Sequence, residues 1–283
     1  MHLHNPKAEI FVPDGQPVEH ALARTTHLAV VAHPDDTELL AYEGILKCFG
    51  KDDLCFTSVV VTDGAGSPRT GRYENYTDEQ MVEVRRSEAR KAAMVGEYSA
   101  LVLLQYTSAQ TKDPSRREII EDLKEVIATA QPEVIYGHNL ADKHDTHVAS
   151  ALRLITALRE LPEHIRPRAL YGCEGWRDLD WMVDEDKVLL EVSGHENLAM
   201  SLLGVFDSQI SGGKRYDLAT LGRRRAHATY WESHGADVAE YLIFAMDLTP
   251  LIKDPRLDPN AYVQEHIKHF ADDVAARLSK LGG

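Results

Sequence analysis

The chain has 283 residues, a length that permits one large α/β domain or two small domains. Hydrophobic residues make up 43% of it, so it can bury a core, whereas its formal net charge of -14 argues against nucleic acid or an anionic membrane as a partner. No apolar run reaches membrane-spanning length and no apolar leader follows the first residues, so we expect a cytoplasmic protein. The three cysteines, Cys48, Cys55 and Cys173, form no Cys-x-x-Cys pair and predict neither a zinc knuckle nor a disulfide framework.

The first strong strand pattern ends in a polar turn. Residues 28–32 form an apolar run typical of a buried strand, and His33 should end it because a residue before proline prefers extended geometry. Apolar residues at helical spacing then predict a helix over residues 37–49. Asp35 and Asp36 lie at the first turn of that helix. They either complement the helix dipole there or, together with His33, bind a divalent metal ion.

The second strand pattern, residues 54–61, also runs into polar residues. A long loop follows and carries Arg69 and Arg72. Loops of this length in compact domains are usually functional or disordered, and the position at the same sheet edge favours a function. A capping box then predicts a helix over residues 77–95, which a glycine closes.

Strand patterns at residues 100–104 and 133–137 continue the alternation of strands and helices. Between them Asp113 and Pro114, a favourable N-cap followed by proline, predict the start of a helix that reaches about residue 130. Four strand–helix repeats are typical of a parallel sheet with right-handed crossovers. No Gly-x-Gly-x-x-Gly follows any of these strands, so nothing indicates a dinucleotide site.

A second dense group of potential metal ligands follows the fourth strand pattern and leads into a helix that ends at about residue 158. Its members are the histidines and aspartates His138, Asp142, His144, Asp145 and His147. Because His144 and His147 are three residues apart, one side of the first helical turn can present both. Ligands bind at the carboxyl ends of parallel strands, so we expect this group to meet the one around His33.

The pattern changes after residue 167. Strands are predicted at residues 169–172, 188–192 and 238–246, and helices at 196–206 and 216–231. Residues 175–181 are aromatic and acidic, which indicates a pocket wall or lid. An amphipathic helix begins at Asp258, and its apolar stripe must pack on the domain or on a partner subunit. We therefore divide the chain into a surface lead-in, one α/β domain and a C-terminal elaboration: residues 1–24, 25–250 and 251–283.

The two groups together have the composition of a catalytic metal site. A catalytic zinc takes three protein ligands and keeps a position for water, and His33, Asp36 and His147 would supply those ligands. Asp35 would remain beside the water as general base. His144 would act as an acid or stabilise the oxyanion. Histidine and aspartate accept Fe²⁺ and Co²⁺ as well as Zn²⁺, so the ligand types alone do not select the ion.

The segment Ala32–Glu38, which reads Ala-His-Pro-Asp-Asp-Thr-Glu, resembles the signature of the PIG-L/LmbE-like N-acetylglucosaminyl deacetylases. The resemblance covers roughly residues 25–245 and implies a Rossmann-like three-layer α/β sandwich with a mostly parallel sheet. It also implies a zinc-dependent hydrolase of linear amides that removes acetyl from an N-acetylglucosamine unit. The family's ligand and catalytic roles fall on the same residues as above: His33, Asp36 and His147 for the metal, Asp35 and His144 for catalysis.

Weaker matches to the same family occur in order along the chain. Val61–Gly64 matches a Val-Thr-x-Gly loop, and Ala239–Tyr241 matches a late Ala-Glu-aromatic strand. Arg85 and Glu88 match a substrate-contacting Arg-x-x-Glu helix, whereas their spacing alone favours a solvated ion pair. The resemblance thus implies that Arg85 binds substrate. Further candidates for contacts with sugar hydroxyls or an anionic group are Arg69 and Arg72.

Two positions depart from the family pattern. The second histidine motif reads His-Asp-Thr-His instead of His-Pro-Asp-His, which makes Asp142 and Asp145 the candidates to orient His144. Phe206 stands where the family often has a histidine, which leaves a different outer pocket and substrate open.

The sequence therefore predicts a zinc-dependent deacetylase that acts on a small N-acetylated amino sugar or its conjugate. Two alternatives stay open: a metal hydrolase of another amide or ester, and a non-catalytic sugar-binding relative. Self-association into a homo-oligomer is one way to cover the last helix, and docking within the same chain is the other.

Overall fold

A single mixed sheet of eight strands organises the chain in the computed structural model, which describes residues 1–283. The strands are β1 (Glu9–Phe11), β2 (His27–Val31), β3 (Phe56–Thr62), β4 (Ala100–Tyr106), β5 (Val134–His138), β6 (Ala169–Cys173), β7 (Lys187–Glu191) and β8 (Leu242–Asp247). Their spatial order is β1-β4-β3-β2-β5-β6-β8-β7. Strands β2 to β6 are parallel, and β1, β7 and β8 pair antiparallel at the two sides.

Helices cover both faces of the sheet. They are α1 (Val18–Ala23), α2 (Asp36–Leu40), α3 (Tyr42–Cys48), α4 (Asp78–Val95), α5 (Ser108–Lys112), α6 (Glu118–Ala130), α7 (Asp145–Glu160), α8 (Glu196–Gly204), α9 (Asp207–Ile210), α10 (Tyr216–Tyr230), α11 (Thr249–Lys253) and α12 (Pro259–Lys280). None of them combines the length and the apolar composition needed to cross a lipid bilayer.

Two apolar cores, one on each face, explain why the central strands read as continuous apolar runs. Val30 of β2 packs into the core with α6 and α7, whereas its neighbours Ala29 and Val31 pack into the core with α3 and α4. Successive residues of a strand point to opposite faces, so a strand that is buried on both sides needs apolar residues at every position. The predicted three-layer α/β sandwich with a mostly parallel sheet is confirmed.

Several predicted element boundaries are confirmed and others are wrong. The capping box at Thr77 and Gln80 is present and starts α4. The single helix predicted over residues 37–49 is broken at Ala41 into α2 and α3. Gly44 of α3 lies so close to Tyr136 of β5 that a Cβ would come 2.5 Å from a ring carbon, so this packing fixes the direction of the second segment.

The other differences concern one predicted helix start, the first 24 residues and the start of the last strand. Asp113 does not start a helix, because its carboxylate accepts the backbone N–H of Ser115 in a turn between α5 and α6. Residues 1–24, expected as a surface lead-in, hold edge strand β1 and helix α1, whose Leu22 is fully buried. The last strand begins at Leu242 rather than at residue 238.

Candidate metal and active site

The site lies at the carboxyl ends of the parallel strands. Strand β2 pairs with β3 on one side and with β5 on the other. The order in which the chain adds strands to the sheet therefore reverses between β2 and β5. Such a switch point opens a crevice in α/β sheets. The turn after β2 carries His33, Asp35 and Asp36, and the loop after β5 leads to His144 and His147 at the start of α7. The structure thus brings the two sequence groups together.

Three donor atoms from these turns form a triangle. His33 Nδ1 lies 3.1 Å from Asp36 Oδ2 and 3.2 Å from His147 Nε2, and the third side measures 3.5 Å. A tetrahedral zinc ion with bonds of about 2.0–2.1 Å separates its ligand atoms by about 3.3 Å. The donor set and its spacing therefore fit a divalent metal ion bound by His33, Asp36 and His147.

Two other trios share members with this triangle. His33, His144 and His147 lie close enough to bind one ion, but that set contains no carboxylate. In the second trio His138 replaces His33, yet His138 Nε2 accepts the backbone N–H of Ala32 at 2.9 Å. Complete burial lowers the pKa of His138 to about 4, so this imidazole is neutral and its Nε2 lone pair is engaged. His138 therefore supports the turn after β2, a role that the sequence did not predict.

Asp142 orients the imidazole of His147. Its Oδ2 lies 3.1 Å from His147 Nδ1, which places the ring proton on Nδ1 and leaves Nε2 free to face the metal position. The same oxygen accepts the backbone N–H of Trp176. A Cβ on Gly175 would come 2.6 Å from it, so this close approach requires glycine at that position.

The structure places the two candidate partners of His144 elsewhere. Asp142 accepts the backbone N–H of His144 at 3.1 Å, but the His144 ring has no hydrogen bond at Nδ1. Asp145 is exposed, and its carboxylate contacts neither imidazole. His144 instead packs edge-on against His33 and stacks on His147, with ring centroids 5.0 and 4.4 Å apart. Burial, together with the neighbouring imidazoles, lowers the pKa of His144, so the ring is neutral and can donate one hydrogen bond.

Asp35 lies beside the triangle in an unusual backbone conformation. Its φ of 107° is rare for a residue with a side chain, and such strain is concentrated at functional sites. Oδ1 of Asp35 lies 3.0 Å from Nη2 of Arg85. Burial raises the pKa of Asp35 to about 7, which Arg85 opposes and the charge of Asp36 reinforces.

Arg85 is a buried residue and not part of a solvated ion pair. Only 1% of its surface is exposed, and its guanidinium donates to the Pro34 carbonyl and contacts Asp35. Glu88 accepts both the backbone N–H and the hydroxyl of Ser208, at 2.7 and 2.6 Å. The Arg85–Glu88 helix thus ties the turn after β2 to helix α9, and the guanidinium is available mainly to Asp35.

Arg69 and Arg72 lie outside the site. Arg69 donates to the carbonyls of Ala65 and Tyr76, so it braces the loop after β3 from within. Arg72 is exposed and faces Asp207 at 3.5 Å. Neither side chain reaches the cavity in front of the metal centre.

Two cavities flank the triangle. The front cavity, about 450 Å³, is lined largely by polar side chains that include Asp35, His144, Lys112, Lys214 and Gln209. The rear cavity, about 210 Å³, has Asp36 and His147 in its wall and is otherwise formed largely by α2, α10 and the loop after β6. Trp176 and Tyr216 line both cavities, with ring centroids 6.1 Å apart.

The sequence indicated some of these walls and missed others. The aromatic stretch at residues 175–181 was predicted as a pocket wall, and Trp176 takes that position. Tyr216 and Lys214 were missed, because the residues that begin α10 show only helical spacing. The density of polar residues after β5 was the available signal for His138.

Comparison with known families gives a match over part of the chain. Residues 28–158 match the family model PIG-L, described as GlcNAc-PI de-N-acetylase. The matched segment runs from β2 to α7 and contains the whole triangle, Asp35 and His144. No curated protein matches the sequence significantly.

Solved structures with the same fold include more than one kind of enzyme. N,N'-diacetylchitobiose deacetylase from Pyrococcus horikoshii has a TM-score of 0.58 and 18% identity, over 78% of this chain and 83% of that chain. The A40926 pseudoaglycone deacetylase has a TM-score of 0.55 and 19% identity, over 79% and 97%. The 4-carboxy-2-hydroxymuconate hydratase from Pseudomonas putida has a TM-score of 0.58 and 16% identity, over 79% and 96%. At these identities the likeness establishes the fold and not the reaction.

Proposed function

We propose that this chain, a PIG-L/LmbE-type protein over residues 28–158, is a metal-dependent hydrolase that removes the N-acetyl group from an N-acetylglucosamine-type sugar or its conjugate. The observation that supports this most directly is the triangle of His33, Asp36 and His147, whose sides of 3.1–3.5 Å suit one divalent ion. Zinc is the ion that this donor set suits best, and Fe²⁺ and Co²⁺ are the alternatives.

Each residue near the triangle has a role in amide hydrolysis. When bound, a divalent ion supplies Lewis-acid polarisation of the amide carbonyl and lowers the pKa of water. Asp35, next to ligand Asp36 and free of the triangle, accepts the proton of the attacking water and returns it to the leaving amine. His144 donates a hydrogen bond to the carbonyl oxygen as negative charge develops there. Arg85 lines the front cavity and also contacts the carboxylate of Asp35, so it acts as a positioning residue for that carboxylate.

The polar front cavity supports a sugar as the amine half of the substrate. Its lysines, Gln209 and the aromatic faces of Trp176 and Tyr216 are groups that bind hydroxyls and stack on sugar rings. Phe206 is buried, and the Arg85 guanidinium lies over its ring at 5.6 Å. Phe206 therefore does not give the front cavity a substitute for the polar histidine that the family often has at this position. This difference keeps hydrolysis of another amide or ester as the second candidate.

Substitution of Asp35 by asparagine tests the proposal. We expect Asp35→Asn to bind one equivalent of Zn²⁺ like the parent protein and to lose about 10²–10⁴-fold in kcat, because the amide cannot accept the proton. The measurement combines metal analysis with an amine-release assay on N-acetylglucosamine and its conjugates. The exposed Asp145→Asn is the matched control and should keep full activity. An Asp35→Asn protein with parental turnover would exclude this mechanism.

A further inference from the structure

The rear cavity has no part in the roles assigned so far. It begins at the triangle, since Asp36 and His147 form part of its wall, and it shares Trp176 and Tyr216 with the front cavity. An amide carbonyl held at the triangle has an amine side and an acyl side. If the amine side lies in the front cavity, the acyl side points toward the rear cavity.

The size of the rear cavity exceeds what an acetyl group needs. A cavity needs a volume of about 10–15 Å³ to hold one water molecule. The rear cavity measures about 210 Å³, whereas the methyl group of acetyl is about as large as one water molecule. An enzyme restricted to acetyl by shape would need only a fraction of this space.

Part of the rear wall is apolar. Leu39, Leu40, Ala219 and Ile243 contribute aliphatic surface, and Trp176 contributes an aromatic face. Such surface binds alkyl groups and offers nothing to sugar hydroxyls.

Some polar groups of the rear wall have partners in the protein and others do not. Glu174 accepts from His227 at 2.8 Å and from the backbone N–H of Phe244. Arg224 donates from Nη2 to the carbonyls of Glu38 and Leu39, its guanidinium lies 4.7 Å from the centroid of the Tyr42 ring, and its Nε and Nη1 have no hydrogen-bond partner. Aliphatic and aromatic side chains still contribute most of the surface that a ligand meets in the cavity.

We propose that the rear cavity binds the acyl group of the substrate and that the chain prefers N-acyl amino sugars whose acyl chain is longer than acetyl. This inference rests on the proposed function, because it takes the scissile amide to lie at the triangle. Burial of each additional methylene should raise kcat/KM roughly threefold until the chain fills the cavity.

A homologous series of substrates tests the preference. Glucosamine carrying N-acetyl, N-butanoyl or N-hexanoyl groups is hydrolysed by the zinc-loaded protein, and amine release gives kcat/KM for each. We expect butanoyl to exceed acetyl by about tenfold, since it adds two methylenes. Hexanoate should also inhibit the hydrolysis of N-acetylglucosamine at lower concentration than acetate does.

A variant that fills the rear cavity tests whether the preference for longer acyl chains arises there. Ala219 of α10 lines the rear cavity, whereas its neighbour Leu218, which is 60% exposed, does not line it. We expect Ala219→Trp to lower kcat/KM for the hexanoyl substrate at least tenfold and to affect the acetyl substrate far less, because acetyl reaches less of the cavity. Leu218→Trp, the matched control, should change neither.

The possible failures are distinguishable. Hydrolysis of the acetyl substrate combined with no reaction of the longer chains, or equal inhibition by acetate and hexanoate, would overturn this inference and keep the proposed function. An equal loss on both substrates in Ala219→Trp would likewise overturn it. No amine release from any member of the series would overturn the proposed function on which it rests.

Discussion

Asp142 connects three separate features of the site through one carboxylate. Its Oδ2 accepts from the His147 ring and from the backbone of Trp176, while Oδ1 accepts from the backbone of His144. The carboxylate therefore fixes the tautomer of His147, the proposed metal ligand, and also holds the loop after β6 over the site. Residues that orient metal ligands in this way usually contribute substantially to metal affinity.

Asp142→Asn should weaken metal binding by about 10–100-fold, because an amide is a poorer partner for the Nδ1 proton and lowers the basicity of Nε2. Competition with a chromophoric chelator measures the Zn²⁺ dissociation constant. Asp145→Asn serves as control, since that carboxylate is exposed and contacts neither histidine. An unchanged dissociation constant in Asp142→Asn would show that His147 is oriented without this carboxylate.

Residue types and spacing on their own indicated the members of the triangle, but not the residues that orient them. His33, Asp36 and His147 could be named because histidine and aspartate at two strand ends are an unusual combination of ligand types. The partner of His147 could not be named, because Asp142 reaches it across a loop whose path depends on Gly175. Arg85 was misread by spacing for a similar reason: an i,i+3 pair looks the same in sequence whether its helix face meets water or Asp35.

Among the helices, α12 is held to the rest of the protein by few contacts. Tyr262 donates to the carbonyl of Asp247 at 2.6 Å, and Val263 is buried. Beyond them the main polar link is Asp186, whose Oδ2 lies 2.9 Å from His266 Nδ1 and 2.7 Å from His269 Nδ1. The apolar stripe predicted for this helix is present, but Ile267 and Phe270 remain about two-fifths exposed.

The link through Asp186 makes the docking of α12 depend on pH. The hydrogen bond to Asp186 raises the pKa of His269, so this contribution is complete below about pH 6.5 and is lost as the pH rises through the raised value. Burial opposes the shift at Asp186, but hydrogen bonds from both histidines lower the pKa of its carboxyl. That contribution is present above about pH 3.8 and is lost as the pH falls through the lowered value. The charge of Glu265 raises the pKa of His269 and that of Lys268 lowers it.

We therefore expect the amides of residues 262–270 to be better protected from hydrogen exchange at pH 5 than at pH 8, after correction for the intrinsic rate. The measurement is made with a chelator present, so that only proton binding changes. Asp186→Asn should remove the difference, whereas the exposed Asp184→Asn should keep it. Equal protection at both pH values in the parent protein would rule out this link as a determinant of docking.

At the level of elements, strong periodicity was reliable and weak signals were not. The buried strands and α4 were predictable because burial on both faces and a capping box leave clear patterns. Edge strand β1 has only three residues and its pairing with β4 spans most of the first hundred residues, so no local pattern reveals it. The break at Ala41 is accompanied by a close contact between Gly44 and Tyr136 of a distant strand, which sequence spacing cannot express.

In the whole molecule, the candidate catalytic and metal-binding residues follow strands β2 and β5, which are adjacent in the sheet. The family resemblance inferred from the segment Ala32–Glu38 is confirmed by the match over residues 28–158, and the fold agrees with that resemblance. The fold alone leaves the reaction open, because both deacetylases and a hydratase share it. Whether the chain is a hydrolase therefore depends on the triangle and on the two cavities. The test that concerns the whole molecule is whether a bound metal ion stabilises the fold.

A bound metal ion should stabilise the entire domain, because His33 and His147 are 114 residues apart in sequence and come from the ends of different strands. An unfolded chain cannot hold these ligands together, so the ion binds mainly the folded state. At a free Zn²⁺ concentration one hundred times the dissociation constant, the gain is about 2.7 kcal/mol. For a chain of this size that corresponds to a rise in Tm of roughly 4–5 °C.

Thermal unfolding of the chelator-treated protein, with and without added Zn²⁺, measures this gain. His33→Ala should abolish the rise in Tm, because it removes one corner of the triangle. Asp186→Asn should retain the rise, which separates the triangle from the exposed group of Asp186, His266 and His269, whose ligand atoms also lie within reach of one ion. A rise that persists in His33→Ala and disappears in Asp186→Asn would place the stabilising ion at the end of α12. The ligand assignment for the active site would then have to be abandoned.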